Sequence, residues 1–221
     1  MLRAMNPILF FSQHFALVLI VAAPLIIAGQ VYLLVRRMSE PENMFQSFPR
    51  GLDAARQQML SGYQPWLASQ NLYPVANFQF GAIQVAAFQQ RDTQRFFFFN
   101  FHKTLTFCAD TYFSDDVCLE TSNSGQIGMF PRRPNKYAQS FPNVTPEELW
   151  RRHLEGEGYL LKRFKIDTKS LSFPCEQLAL YNIRLDIQYV RSIPLYPFRA
   201  LYWCAVNRSR MANRSIQEQY P

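Results

Sequence analysis

The sequence predicts an α+β fold: an antiparallel sheet of four or more strands with two or more helices, plus one N-terminal transmembrane helix. Three observations carry that expectation. Residues 15–35 form an apolar run without a charge, residues 78–121 break into strand-like segments, and Thr145-Pro146-Glu147-Glu148 announces a helix after them. A hydrophobic fraction of 48%, with 20 Phe and 11 Tyr, places the chain among proteins with a substantial core and excludes a disordered polypeptide.

The run that starts at Phe15 and ends at Val35 reads FALVLIVAAPLIIAGQVYLLV. At helical rise it is about 31 Å long, the thickness of a bilayer core. Pro24, Gly29 and the polar Gln30 interrupt it without adding charge, as membrane helices tolerate. A cleaved signal peptide would stop sooner. Here the apolar sequence continues past Ala28 to Arg36-Arg37, like a stop-transfer flank, so an uncleaved anchor is expected. The chain therefore divides into an N-terminal flank (1–14), the anchor (15–35), a linker (36–50), one α+β domain (51–206) and a basic tail (207–221).

The formal charge of +7 is unevenly placed. Arg3, Arg36 and Arg37 flank the anchor, and Arg191, Arg199, Arg208, Arg210 and Arg214 face only Glu218 in the last segment, while residues 38–190 are balanced. Positive charge at the membrane flank and in the tail suits anionic headgroups, through Arg208, Arg210 and Arg214, better than a nucleic-acid groove, and no nucleic-acid partner is expected. Counting basic residues beside the helix ends, with the N-terminal amine, puts the domain in the cytoplasm, at the inner membrane; an exported domain is the alternative. The sequons at Asn143, Asn207 and Asn213 matter only in a glycosylating compartment.

Residues 39–51, with Pro41 and Pro49, read as a connector into a helix over 52–70 that breaks near Gly62 and Pro65. Strand-like runs follow at 78–89, 94–101, 104–113 and 117–121. In the third, Leu105, Phe107, Ala109, Thr111 and Phe113 share one face, a period-two pattern with that face buried. Phe96 to Phe99 are apolar on both faces, which makes that strand central in a meander. If Phe113 faces Val117 across the turn Ser114-Asp115-Asp116, then Tyr112 faces Cys118 and Cys108 faces Ser122. The Cys108 and Cys118 sulfurs are then about 13 Å apart, too far for a disulfide. Cys175 and Cys204 form no C-x-x-C pair either, so no metal or redox centre is expected.

Residues 125–142, with two Gly and three Pro, read as a long loop. Thr145 as N-cap, Pro146 at the first helical position and Glu148 at the third start a helix expected to reach Glu157. Residues 162–172 and 179–190 read as further strand or mixed segments. Residues 193–206, with Tyr196, Tyr202 and Trp203, are expected either to pack on the domain or to lie at the membrane interface with the tail arginines near headgroups.

Thr111, Phe113, Asp115, Leu119, Thr121, Ser122, Asn123, Phe130-Pro131, Pro134, Phe141-Pro142, Leu149 and His153 make up a block that resembles a family of uncharacterised bacterial membrane-anchored proteins. The block covers about a fifth of the chain, and Asp116 stands where that family's pattern has glycine. The resemblance implies a membrane-anchored protein and no particular activity.

No stretch assembles a reaction centre. His102 and His153 could share a metal or move a proton, yet no third ligand stands at diagnostic spacing, and each reads as a structural histidine. Asp115 and Asp116 read as turn residues rather than paired acids. No G-x-S-x-G occurs. Pro131-Arg132-Arg133-Pro134 and Lys162-Arg163-Phe164-Lys165 read as solvated basic faces. No catalytic, cofactor-binding or metal-binding residue is therefore named, and no cofactor is expected. The function expected is a non-catalytic membrane-anchored interaction or assembly domain with an unknown protein partner. The rival is a membrane-tethered, hydrolase-like enzyme using scattered residues such as His102, His153, Asp110 and Asp115; a polar pocket joining them would favour it.

Overall fold

The structure, a computed structural model, describes residues 7–47, 51–113, 117–124, 131–166 and 174–221. Helix α1 (Pro7–Arg37) leads through a 3-10 turn (Pro41–Met44) into β1 (Phe45–Ser47), α2 (Ala54–Ser61) and α3 (Gln64–Ser69). Strands β2 (Leu72–Phe80), β3 (Ile83–Gln90), β4 (Arg95–Phe101), β5 (Leu105–Tyr112), β6 (Cys118–Ser122) and β7 (Lys136–Ser140) follow. The chain then forms α4 (Pro146–Phe164), α5 (Cys175–Ser192), α6 (Tyr196–Tyr202), a π-helical turn (Trp203–Asn207), α7 (Arg208–Met211) and α8 (Ile216–Gln219).

The seven strands lie side by side in chain order. Every pair is antiparallel except β6 and β7, which are parallel. β4 is the middle strand, and Phe96, Phe97, Phe98 and Phe99 are all buried, alternating between two covered faces. The expected register holds: Tyr112 pairs with Cys118 and Cys108 with Ser122, and Phe113 N–H donates to Val117 O at 2.9 Å. Cys108, Cys118 and Cys175 are free thiols.

Helices α2, α3 and α4 cover one face of the sheet, where Phe97, Phe99, Phe107 and Ala109 pack against Leu60, Leu67, Leu149 and Trp150. On the other face Phe78, Val85, Phe96, Phe98 and Tyr112 meet Cys175 and Leu178 of α5. The period-two face of β5 is therefore not its only covered face: the even side chains lie under α5.

Several expectations need correction. The run 78–89 is two strands, not one, because Gly81 takes φ of +59° and turns the chain between Phe80 and Ile83. The loop expected over 125–142 contains β7, whose short polar sequence gives no alternation to read; residues 125–130 lie outside the described residues, as do Ser114, Asp115 and Asp116. α4 starts at its N-cap as expected, Thr145 Oγ1 accepting from Glu148 N–H, but runs past Glu157 to Phe164 and ends where Lys165 turns left-handed. Residues 162–164 thus complete α4 rather than starting a strand, and 167–173 lie outside the described residues. Residues 179–190 belong to helix α5; its aromatic and β-branched content imitates a strand, but Leu178, Ile187 and Val190 lie buried at helical intervals.

Among the described residues no helix is long and apolar enough to cross a membrane. The base of α1 is docked: Val35 is buried with Ile187 and Val190 of α5, joined by Val31, Met38 and Tyr196. α6 lies along α1, Tyr32 stacking on Tyr196 with ring centroids 6.4 Å apart.

Candidate functional site

Two polar clusters lie on opposite faces of the sheet. The first is a chain of hydrogen bonds beneath α4. Thr111 of β5 and Thr121 of β6 point to the α4 face, where the buried His153 sits between them: Nε2 is 2.8 Å from Thr111 Oγ1 and Nδ1 is 2.9 Å from Thr121 Oγ1. Glu157, one turn further along α4, accepts from Thr111 Oγ1 at 3.1 Å and from the Arg95 guanidinium through both of its oxygens. At the other end Gln139 of β7 donates from Nε2 to Thr121 Oγ1 and to Arg152 O, and its Oε1 accepts from Ile216 N–H at the start of α8.

Counting protons fixes the histidine's state. Thr111 has one hydroxyl hydrogen and gives it to the Glu157 carboxylate, so its oxygen accepts from His153 Nε2–H. Nδ1 is then bare and accepts from the Thr121 hydroxyl, whose oxygen accepts from Gln139. The ring is neutral with its hydrogen on Nε2. Burial, with the Arg95 charge adding to it, lowers the His153 pKa to about 3, in agreement. With both nitrogens occupied and Trp150 stacked on its ring, centroids 5.7 Å apart, His153 has no free atom to offer a substrate.

The second cluster lines a cavity of about 430 Å³ between the other face of the sheet and α5. Asp110 of β5 and Glu120 of β6 are direct cross-strand partners on that face. Two like charges placed so need a cation. Lys136 of β7 supplies it, with Nζ 2.9 Å from Glu120 Oε2 and 2.7 Å from Asp186 Oδ2 of α5. Arg133 adds a hydrogen bond to Asp186 Oδ1 at 3.0 Å. Asp110 receives one hydrogen bond, from the Tyr112 hydroxyl to Oδ2 at 3.0 Å; its Oδ1 is buried and has no partner.

Burial first, then the Glu120 charge, raise the Asp110 carboxyl to about 7, with Lys136 and the Tyr112 hydrogen bond pulling the other way. Burial opposes the Lys136 ammonium, but Glu120 and Asp186 outweigh it and its pKa is raised. Cys118 is pushed up to about 12 and Cys108 well above the usual thiol range, in both cases chiefly by burial, so neither is a thiolate nucleophile near neutrality. The cavity thus offers charge and hydrogen-bond recognition and, in Asp110, a carboxyl that exchanges its proton near neutrality.

The residues weighed as a scattered catalytic set are not brought together. His153 is enclosed under α4, Asp110 faces the α5 side, and His102 is exposed in the turn after β4. Asp115 lies outside the described residues. Among the described residues no three His, Cys, Asp or Glu side chains converge to hold a metal ion. The block that carries the family resemblance supplies Thr111, Thr121 and His153 to the hydrogen-bond chain, while its Phe113, Leu119 and Leu149 are buried and its Asn123 Oδ1 accepts from Phe107 N–H. Glu120, Lys136 and Asp186 form no motif in the sequence and meet only in the fold. The signal available was the register itself, since pairing Cys108 with Ser122 puts Asp110 opposite Glu120; Lys136 and Asp186 lay in segments read as a loop and a strand. No protein family, curated protein or solved structure matches the chain.

Proposed function

We propose that this chain is a single-pass membrane protein whose α+β domain, held at the membrane by α1, works by binding a partner rather than by catalysis. The observation that carries the anchor is the exposure of Ile20, Leu25, Ile26, Ile27, Tyr32 and Leu33, which point to all sides of α1. A helix apolar all round and bare in water is unfavourable; lipid around it removes the cost. Arg36 and Arg37 end the helix at headgroup height. Exposed Leu195, Phe198 and Tyr202 beside α1, followed by exposed Arg210 and Arg214, support contact of the tail region with the interface and anionic headgroups.

The separation of His102, His153 and Asp110, together with protonated thiols, supports the binding reading over a hydrolase. The flanking charges, Arg36 and Arg37 against Arg3, support an inner-membrane location with the domain in the cytoplasm over an exported domain.

Membrane fractionation with alkaline carbonate extraction tests the anchor. The full chain is expected to stay in the membrane pellet, and a chain lacking residues 1–37 to be released; recovery of the full chain in the soluble fraction would overturn the proposal. For sidedness, a cysteine placed at exposed Glu155 (Glu155→Cys) is a better reporter than the native thiols Cys118 and Cys175, which are buried. An impermeant maleimide is expected to leave Glu155→Cys unlabelled until cells are lysed, and labelling in intact cells would refute the cytoplasmic placement.

A further inference from the structure

The geometry points to the cavity between the sheet and α5 as a binding site for a small organic amine, its ammonium group on Asp110 and its apolar portion against Phe78 and Phe98. The cavity, about 430 Å³, falls in the range of ~300–1,000 Å³ typical of small-molecule sites and is far larger than a single buried water requires. Its wall is divided: Phe78, Val85 and Phe98 make an apolar side, and Asp110, Glu120 and Lys136 a polar one.

The polar side is short of one donor. Glu120 and Asp186 are satisfied by Lys136, which bridges them, and Arg133 also bonds Asp186. Asp110 has only the Tyr112 hydroxyl, and its buried Oδ1 has no donor in reach. An acceptor sealed from water without a partner costs about 1–3 kcal/mol, which a ligand N–H would recover once the Asp110 carboxylate turns its free oxygen toward the cavity it lines. A cationic N–H gives more than a neutral one, since it makes a charge-assisted hydrogen bond and relieves the repulsion between Asp110 and Glu120. A carboxylate ligand would meet Asp110, Glu120 and Asp186 on the strand and α5 walls; the cation left to receive it is Arg132, which also lines the cavity, bonds Gln219 Oε1 through one terminal nitrogen and has a buried Nε without a partner. A bare metal ion does not fit either, because Lys136 already holds the position between Glu120 and Asp186 and no three-ligand group exists among the described residues. The aromatic wall selects for an apolar body on the amine and adds cation–π attraction where the ammonium nears Phe98 or Tyr112.

The experiment is isothermal titration calorimetry on the full chain in detergent micelles at pH 7.5, with protein-free micelles as the blank. The probes are 2-phenylethylamine and two comparators of like shape, 2-phenylethanol and 3-phenylpropionate. The amine is expected to bind, with each comparator at least tenfold weaker, and Asp110→Asn, which keeps the shape of the site, is expected to weaken the amine at least tenfold. Absence of amine binding at millimolar concentration, equal binding of the three probes, or unchanged affinity in Asp110→Asn would each overturn the assignment. The comparison of probes needs no variant, so a folding defect in Asp110→Asn would leave the test intact.

Discussion

Two glycines two residues apart in α4 should respond to alanine with opposite signs. Gly156 and Gly158 both lie inside the helix, where alanine ordinarily gains about 1 kcal/mol over glycine. A Cβ on Gly158 meets nothing within 4 Å, so Gly158→Ala should stabilise by about that amount. A Cβ on Gly156 would stand 2.8 Å from Gln139 Nε2 and 3.3 Å from its Cδ and Oε1. A flexible side chain would normally step aside, but Gln139 is 1% exposed and tied at both ends of its amide, to Thr121 Oγ1, Arg152 O and Ile216 N–H. Displacing it sacrifices up to three hydrogen bonds of about 0.5–1.5 kcal/mol each. Set against the helix gain, Gly156→Ala should destabilise by about 1–3 kcal/mol net. Chemical denaturation of the detergent-solubilised chain, with the slope unchanged and the midpoint lowered, would show it. Removing the obstacle supplies the control: in a Gln139→Ala background, Gly156→Ala should become stabilising, and the double-mutant cycle should show strong coupling. If Gly156→Ala stabilises the parent chain as much as Gly158→Ala does, the reasoning about Gln139 is wrong.

Other consequences can be checked the same way. The Asp110 carboxyl is raised to about 7 in the fold against about 3.9 unfolded, so it favours the folded state most below pH 4, and that contribution is lost as pH rises through 7; Asp110→Asn should flatten this loss and raise the melting midpoint at pH 8. His153 works in the other direction. Its pKa is near 3 when folded and about 6.5 when unfolded, so its contribution is complete above pH 6.5 and lost as pH falls toward 3, at up to about 1.4 kcal/mol per unit; His153→Leu should remove this acid limb while costing about 1–3 kcal/mol at pH 7.5 by stranding the Thr121 hydroxyl, and an unchanged acid limb would refute the assignment. Phe97, fully buried among Trp66, Phe99, Phe107 and Trp150, should cost about 3–5 kcal/mol as Phe97→Ala, and a loss under 1 kcal/mol in equilibrium unfolding would contradict its central place.

What could be read in the sequence was whatever depends on near neighbours. The Phe96–Phe99 run placed the middle strand because a strand covered on both faces must be apolar on both. The turn after Phe113 fixed the β5–β6 register, and Thr145-Pro146 fixed the start of α4, since capping is settled within one helical turn. Features set by distant residues were not legible. β7 is a strand because β6 offers it a parallel edge and Arg133 and Lys136 meet Asp186 on α5, none of which leaves a period in the five residues Lys136–Ser140. α5 resembled a strand in composition, and only its contacts with the sheet and with Val35 show which positions it buries. The candidate cavity was hidden for the same reason: it needs β5, β6, β7 and α5 at once, and β7 is too short to show a period while α5 has the composition of a strand. The role of His153 was legible as structural, but not the proton order of its partners, which emerges only with Glu157 in place.

The two margins of the sheet bear on how this protein behaves in a crowded setting. Exposed strand edges are templates on which foreign chains can grow, yet here one margin is β1, only three residues long. The other, β7, is overlaid by the chain's own last segment: Ser140 pairs with Ala212, Asn213 N–H donates to Ser140 O at 2.7 Å, and Tyr137 is flanked by the rings of Phe164 and Tyr220. The segment around Ala212 thus occupies the end of that edge at Ser140. Removing residues 212–221 would take away the bridge at Ser140 and the Tyr220 ring from Tyr137, leaving this margin open, and the trimmed chain should form β-rich aggregates under conditions where the untrimmed chain stays dispersed.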